Sequence, residues 1–288
     1  MSYVYEDNVA RPTDLEVSYE GYVSRISVGL RFVLALPHIF LYLVLSLVVG
    51  FAAPFIWLAT LVMGRLPKFG VNVFAYLTGY YARLISYLYF LSNKYPPLLG
   101  AAEDYPVKVE FTPAKMGRLS ILFRAVLAWP ALFIGQLLSS GLFFVGVVEW
   151  AMVVILGEVP ISIFLANYAA IRFIIRAQAW LLMLSSIYPN GLFGEDFRVQ
   201  IARDVSKELY SLDAGSKVVP KFSEEKLQSH TKTSKVLVAG MLVVGLVVSA
   251  ATQGSSISAS TSTSSSITQF HNSKITQSHS SKSLVIAP

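Results

Sequence analysis

Residues 24–63 form a block of forty in which Arg25 and Arg31 are the only charged side chains. A water-soluble helix or strand buries one face and keeps the other polar, so its apolar residues recur with a period; this block is apolar on every face. As one continuous helix it would measure about 60 Å. A bilayer's hydrocarbon core is only about 30 Å thick, so a fold-back is expected. Pro37, Gly50 and Pro54 interrupt the block. The expected path is a helix over 31–49, a turn over 50–54 and a return helix over 55–63 that ends at GRLPKFG. Composition supports lipid as the solvent: apolar residues make up 54% and charged residues 14%, where a soluble domain carries about a quarter charged. The mean hydropathy is +0.57.

The block is written twice. At a constant offset of 93, Arg25 matches Arg118, Arg31 matches Arg124 and Pro37 matches Pro130; Trp57, Gly64, Pro67, Arg83 and Tyr95-Pro96 match Trp150, Gly157, Pro160, Arg176 and Tyr188-Pro189. No gap is needed, so the chain carries two copies of one unit. Residues 69–92 form a further helical candidate rich in Tyr and Phe. The stretches DLEVSY and YPVKVEF alternate like short strands. The expected division is a polar arm 1–23, membrane repeats 24–98 and 118–190 joined by a linker 99–117, a charged segment 191–235 with an amphipathic helix, a C-terminal transmembrane helix 236–252 and a disordered tail 253–288. Ser and Thr supply 17 of the tail's 36 residues, a composition suited to an O-glycosylated stalk.

The order R-x5-P, W-x6-G-x2-P, an aromatic helix with one arginine, then Y-P, read here as RFVLALPH, WLATLVMGRLP and NKYPP and again as RAVLAWPA, WAMVVILGEVP and SIYPN, resembles the prokaryotic membrane family catalogued as domain of unknown function 4389. The likeness covers about residues 22–98 and 115–190. It implies a multi-span membrane module and carries no reaction with it. The second copy departs at Ala131, opposite His38, and at Glu158, opposite Arg65.

Charge sets the expected topology. Residues 26–98 hold five cations, Arg31, Arg65, Lys68, Arg83 and Lys94, and no carboxylate. The positive-inside rule puts both ends of each hairpin in the cytoplasm, with two spans per repeat, five in all and the Ser/Thr tail outside. The rival is three spans per repeat and seven in total, which would set Arg83 and Arg176 near mid-bilayer at about 2.5 to 3.5 kcal/mol each. The aromatic helices are therefore expected to lie in the interface. The net charge of +6 is scattered between apolar blocks, which favours anionic lipid headgroups over nucleic acid.

Few residues invite chemistry. Glu149 is a carboxylate inside an apolar run, with Arg124, Arg172 and Arg176 as expected partners, and an intramembrane acid is a candidate site by default. His38, a second candidate intramembrane polar site, follows Pro37; it would be a proton-responsive group or ligand or, as is favoured, bond a carbonyl freed by the proline. Arg31 and Arg124 are expected to snorkel to phosphates. Arg65 and Lys68 in the Gly-x-x-Pro turn, together with Arg83, are expected to contact lipid or a partner. The chain has no cysteine and no HExxH motif, and Ser46, Ser86 and Ser139 have no base at a recognisable spacing, so neither cofactor, metal nor catalysis is expected. The reading is an all-α polytopic membrane protein of two tandem helical-hairpin repeats, each with an amphipathic aromatic helix, plus a C-terminal single span. It would act as a non-enzymatic scaffold or interaction protein, with a membrane-protein partner or a homo-oligomer; the alternative is a carrier or channel for a small solute or lipid between the repeats.

Overall fold

A computed structural model of the protein describes residues 13–17, 23–98, 105–189, 191–192 and 230–251. The elements are β1 (Asp14–Glu16), α1 (Arg25–Met63), α2 (Lys68–Leu88), β2 (Lys108–Glu110), α3 (Arg118–Leu122), α4 (Arg124–Leu156) and α5 (Ile161–Leu181), followed by α6 (His230–Ala251). The chain divides into two units, Met1–Gly245 and Leu246–Pro288; the described part of the second is helical. The expected amphipathic helix within 191–235 and the tail 253–288 lie outside the described residues.

The turn expected over 50–54 is not formed. Helix α1 runs unbroken for 39 residues with Pro37 and Pro54 inside it. A proline in a helix deletes one hydrogen bond and costs about 3 kcal/mol. A turn over 50–54 would instead break several consecutive backbone hydrogen bonds, and the helix keeps them. The chain reverses instead at Gly64, whose φ of +69° only glycine adopts without penalty, and in the second copy at Gly157, with φ +77°. The N–H groups of these two glycines close on the carbonyls of Thr60 and Val153, and Pro67 and Pro160 then lead into α2 and α5. Each repeat is therefore a hairpin of one long apolar helix and one 21-residue helix.

The shorter helices, expected to lie in the membrane interface, form the core of the fold. Seventeen of the 21 residues of α5 are buried, and thirteen of those of α2. They lie inside because α1, α4 and the ribbon of β1 and β2 cover them. The two strands pair antiparallel, Leu15 opposite Val109. Tyr168 donates to the Leu15 carbonyl at 2.8 Å, fixing the ribbon over α5.

The copies meet reciprocally. Trp57 Nε1 donates to the Ile121 carbonyl at 3.2 Å, and Trp150 Nε1 to the Val28 carbonyl at 2.8 Å; Trp57 and Trp150, like Val28 and Ile121, are equivalent at the offset of 93. The Met116 N–H donates to Gly64, and the Val23 N–H to Gly157. Each of these two kinds of contact has its mirror partner, which is the signature of a two-fold interface. The start of each long helix thus lies against the end of the other, and α1 and α4 run antiparallel.

Helix α6 lies along α4. Ser234, Val238 and Met241 are buried, the backbone of Met241 sits against Gly141, and Gly245 sits against the Leu137 carbonyl. Among the described residues three helices, α1, α4 and α6, are long and apolar enough to cross a membrane, against five expected spans.

Candidate functional site

Arg31 and Arg124 are interior groups, 1% and 2% exposed, which corrects the snorkelling expected of them. Arg31 Nη1 donates to the Tyr87 carbonyl at 2.7 Å and Nη2 to Asn93 Oδ1 at 3.1 Å. Arg124 Nε donates to the Trp180 carbonyl at 2.6 Å, its Nη2 donates to the Ser185 carbonyl, and its Nη1 lies 2.7 Å from Met116 Sδ. Tyr87 and Trp180 occupy equivalent places in the last turns of α2 and α5, where carbonyls lack intrahelical partners and the helix dipole is negative. A guanidinium supplies donors and positive charge to such an end. Ring faces complete each site: Arg31 lies 4.7 Å from the centroids of Tyr87 and Phe90, and Arg124 4.3 Å from that of Trp180. Phe90 and Met183, one residue past the two C-caps, both hold φ of +62°. Left-handed backbone is costly for non-glycine residues; here each side chain recovers the cost by burial, at 4% and 3% exposed.

Glu149 is 3% exposed and Asn167 fully buried. Asn167 Nδ2 donates to Glu149 Oε2 at 2.9 Å and to the Tyr89 carbonyl at 3.1 Å. Oε1 of Glu149 and Oδ1 of Asn167 have no hydrogen-bond partner among the described residues. Asn167, not an arginine, is the hydrogen-bond partner of the acid. Arg124 is engaged at the end of α5; Arg172 is buried on α5 and Arg176 half-buried there. Burial pushes the Tyr89 hydroxyl up to about 12, and the charge of Glu149 adds to the effect.

His38, fully buried, has Nδ1 2.7 Å from Tyr80 Oη, and its ring stands edge-on to Tyr95 with centroids 4.8 Å apart. A phenol, not a carbonyl freed by Pro37, is the partner. Nε2 of His38 has no hydrogen-bond partner among the described residues. Arg83 is half-buried, 5.8 Å from the Tyr80 ring. Arg65 and Lys68 are exposed at the first hairpin turn.

The two polar pairs are copy-specific. At the offset of 93, Glu149 and Asn167 stand where the first copy has Ile56 and Phe74, 5% and 1% exposed; His38 and Tyr80 stand where the second has Ala131 and Phe173, each 3% exposed. Both members change together, as burial demands, because one polar group left alone would be unpaired. The fold therefore tolerates an apolar pair at either place. Asn167 was missed in the sequence, although its exchange against Phe74, in step with Glu149 against Ile56, was a legible signal. Among the described residues no group of three or more His, Cys, Asp or Glu is placed to hold a metal.

The family model for a domain of unknown function, DUF4389, matches the chain twice, over residues 25–99 and 118–192. No curated protein and no solved structure matches it. Each match begins at the arginine that opens an apolar hairpin and ends just past its Tyr-Pro, and together they cover more than half of the sequence: the chain belongs to the DUF4389 family, with two tandem copies of the domain.

Proposed function

We propose that the protein is a non-enzymatic scaffold of the cell membrane, held in lipid by α1, α4 and α6 and meeting anionic headgroups and partner proteins through its basic turns and linkers. One observation carries this reading: the outward faces of α1 and α4 are apolar from end to end, with Phe40, Phe51, Phe55, Trp129 and Ile155 all at least 70% exposed. Water does not tolerate apolar patches of that extent. The excess of Lys and Arg in the short connections favours the cytoplasm for the face that carries them.

The experiment is purification in mild detergent followed by analysis of bound lipid and protein. Anionic lipid or a partner is expected to co-purify, and Arg65→Glu with Lys68→Glu should lower the lipid yield several-fold, since each cation near a charged surface contributes about 1 kcal/mol. A bare monomer without lipid would count against the scaffold.

A conduit between the copies is the second reading, favoured by the buried Oε1 of Glu149, which has no hydrogen-bond partner among the described residues. Liposome flux that is lost in Glu149→Gln while assembly is unchanged would select it.

A further inference from the structure

We infer that the duplicated body lies side-on in one leaflet: α1 and α4 are sunk in the acyl chains parallel to the membrane surface, and neither crosses it. This rests on the membrane reading above, and concerns how the body sits in lipid.

The argument starts from the reciprocal contacts. The end of α1 is tied to the beginning of the second copy by the bonds Trp57 to Ile121, Met116 to Gly64 and Arg118 Nη2 to the Val62 carbonyl; the beginning of α1 is tied to the end of α4 by Trp150 to Val28 and Val23 to Gly157. Two copies inserted in the same orientation share a two-fold axis along the membrane normal, which keeps every residue at the height of its equivalent. The end of α1 then lies at the height of the beginning of the second copy, hence at the height of its own beginning. A helix with both ends at one height does not cross.

Inverted copies would escape that conclusion, but the connection between them forbids it. Asn93 is held at the beginning of α1 by Arg31, and Met116 is held at its end by Gly64. The connection between the two must therefore cover the length of the long helix. Its described residues include Lys94, Lys108, Glu110 and Lys115, all exposed, and β2 within it pairs with β1. Were α1 upright, this charged connection and an open two-stranded ribbon would stand in hydrocarbon, where unpaired strand edges and charges are not tolerated.

Side-on, every group finds its solvent. The ribbon faces water above α2 and α5. The opposite layer, α1 and α4, faces lipid. Over residues 32–63 and 125–156 the one charged side chain is Glu149, which is buried, while the exposed cations Arg65, Lys68, Lys94, Lys115 and Arg118 fall at the rim, at headgroup height. A helix lying this way sinks about 5–10 Å below the headgroups.

The chain has no cysteine, so single reporters are clean. Nitroxide labels on Leu30→Cys, Phe40→Cys, Phe51→Cys and Val62→Cys, all more than half exposed, are expected to give one common depth in liposomes. A profile shallow at both ends and deepest in the middle would overturn the inference. In sealed vesicles, a membrane-impermeant maleimide should label Arg65→Cys, Lys94→Cys and Lys108→Cys from the same side; Arg65→Cys labelling from the opposite side to Lys94→Cys would also overturn it. Recovery of the unlabelled protein in the supernatant after an alkaline wash of membranes would instead overturn the membrane reading itself, so the two failures are distinct.

Discussion

At the scale of single residues, the sequence picked out the right arginines for the wrong reason. Whether a long cation snorkels or turns inward depends on which unsatisfied group lies within reach, and the carbonyls of Tyr87 and Trp180 lie 56 residues from Arg31 and Arg124. Arg31→Met and Arg124→Met should each lower stability by about 3 kcal/mol, as helix-end carbonyls lose their donors, with Lys a poor substitute because it lacks the fork. Thermal unfolding in detergent measures this. For the acid, Glu149→Ile and Asn167→Phe should each destabilise alone, and the double substitution, which installs the pair of the first copy, should recover most of the loss. A double-mutant cycle is expected to give a coupling of about 2 kcal/mol. On the ribbon side, burial pushes the Tyr105 hydroxyl up to about 12 from 10.0, and it donates to the Lys94 carbonyl at 2.9 Å. The unfolded chain ionises first as pH rises, so the protein should lose stability between those two values, and Tyr105→Phe should flatten that part of the profile.

At the scale of elements, the existence of the helices was legible and several of their boundaries were not. The apolar block, the aromatic helix after it and the two alternating stretches all become elements near their expected places, because periodicity and composition are local. The hairpin turn was misplaced from Gly64 to Gly50. Both are glycines, each followed a few residues on by a proline, and the thickness of a bilayer core favoured the one in the middle of the block; only Gly64 has a left-handed conformation to serve and a Met116 N–H to receive. Gly64→Ala and Gly157→Ala should therefore each cost about 1 kcal/mol, whereas Gly50→Ala, a site with nothing within 4 Å of the added carbon, should stabilise the helix slightly. Gly141→Val should displace α6 from α4, since its side chain would meet the backbone of Met241; loss of a crosslink between the two helices would report it.

At the scale of the whole molecule, the duplication becomes a two-fold pair. The two tryptophan bonds are equivalent, so Trp57→Phe and Trp150→Phe should weaken the protein by similar amounts, about 1 kcal/mol each, and unfolding curves that differ widely would show the copies to be held unequally. By itself the sequence determined the long apolar blocks, the helical class and the fact of two copies: these follow from composition and from residue order, which need no knowledge of neighbours in space. The tertiary structure alone decided that α2 and α5 are core and not surface, that Arg31 and Arg124 point inward, and that Glu149 meets Asn167. An amphipathic stripe and a buried pair look the same along a chain; they are told apart only by what another segment places against them, and here that segment belongs, for the most part, to the other copy or to the far end of the same hairpin.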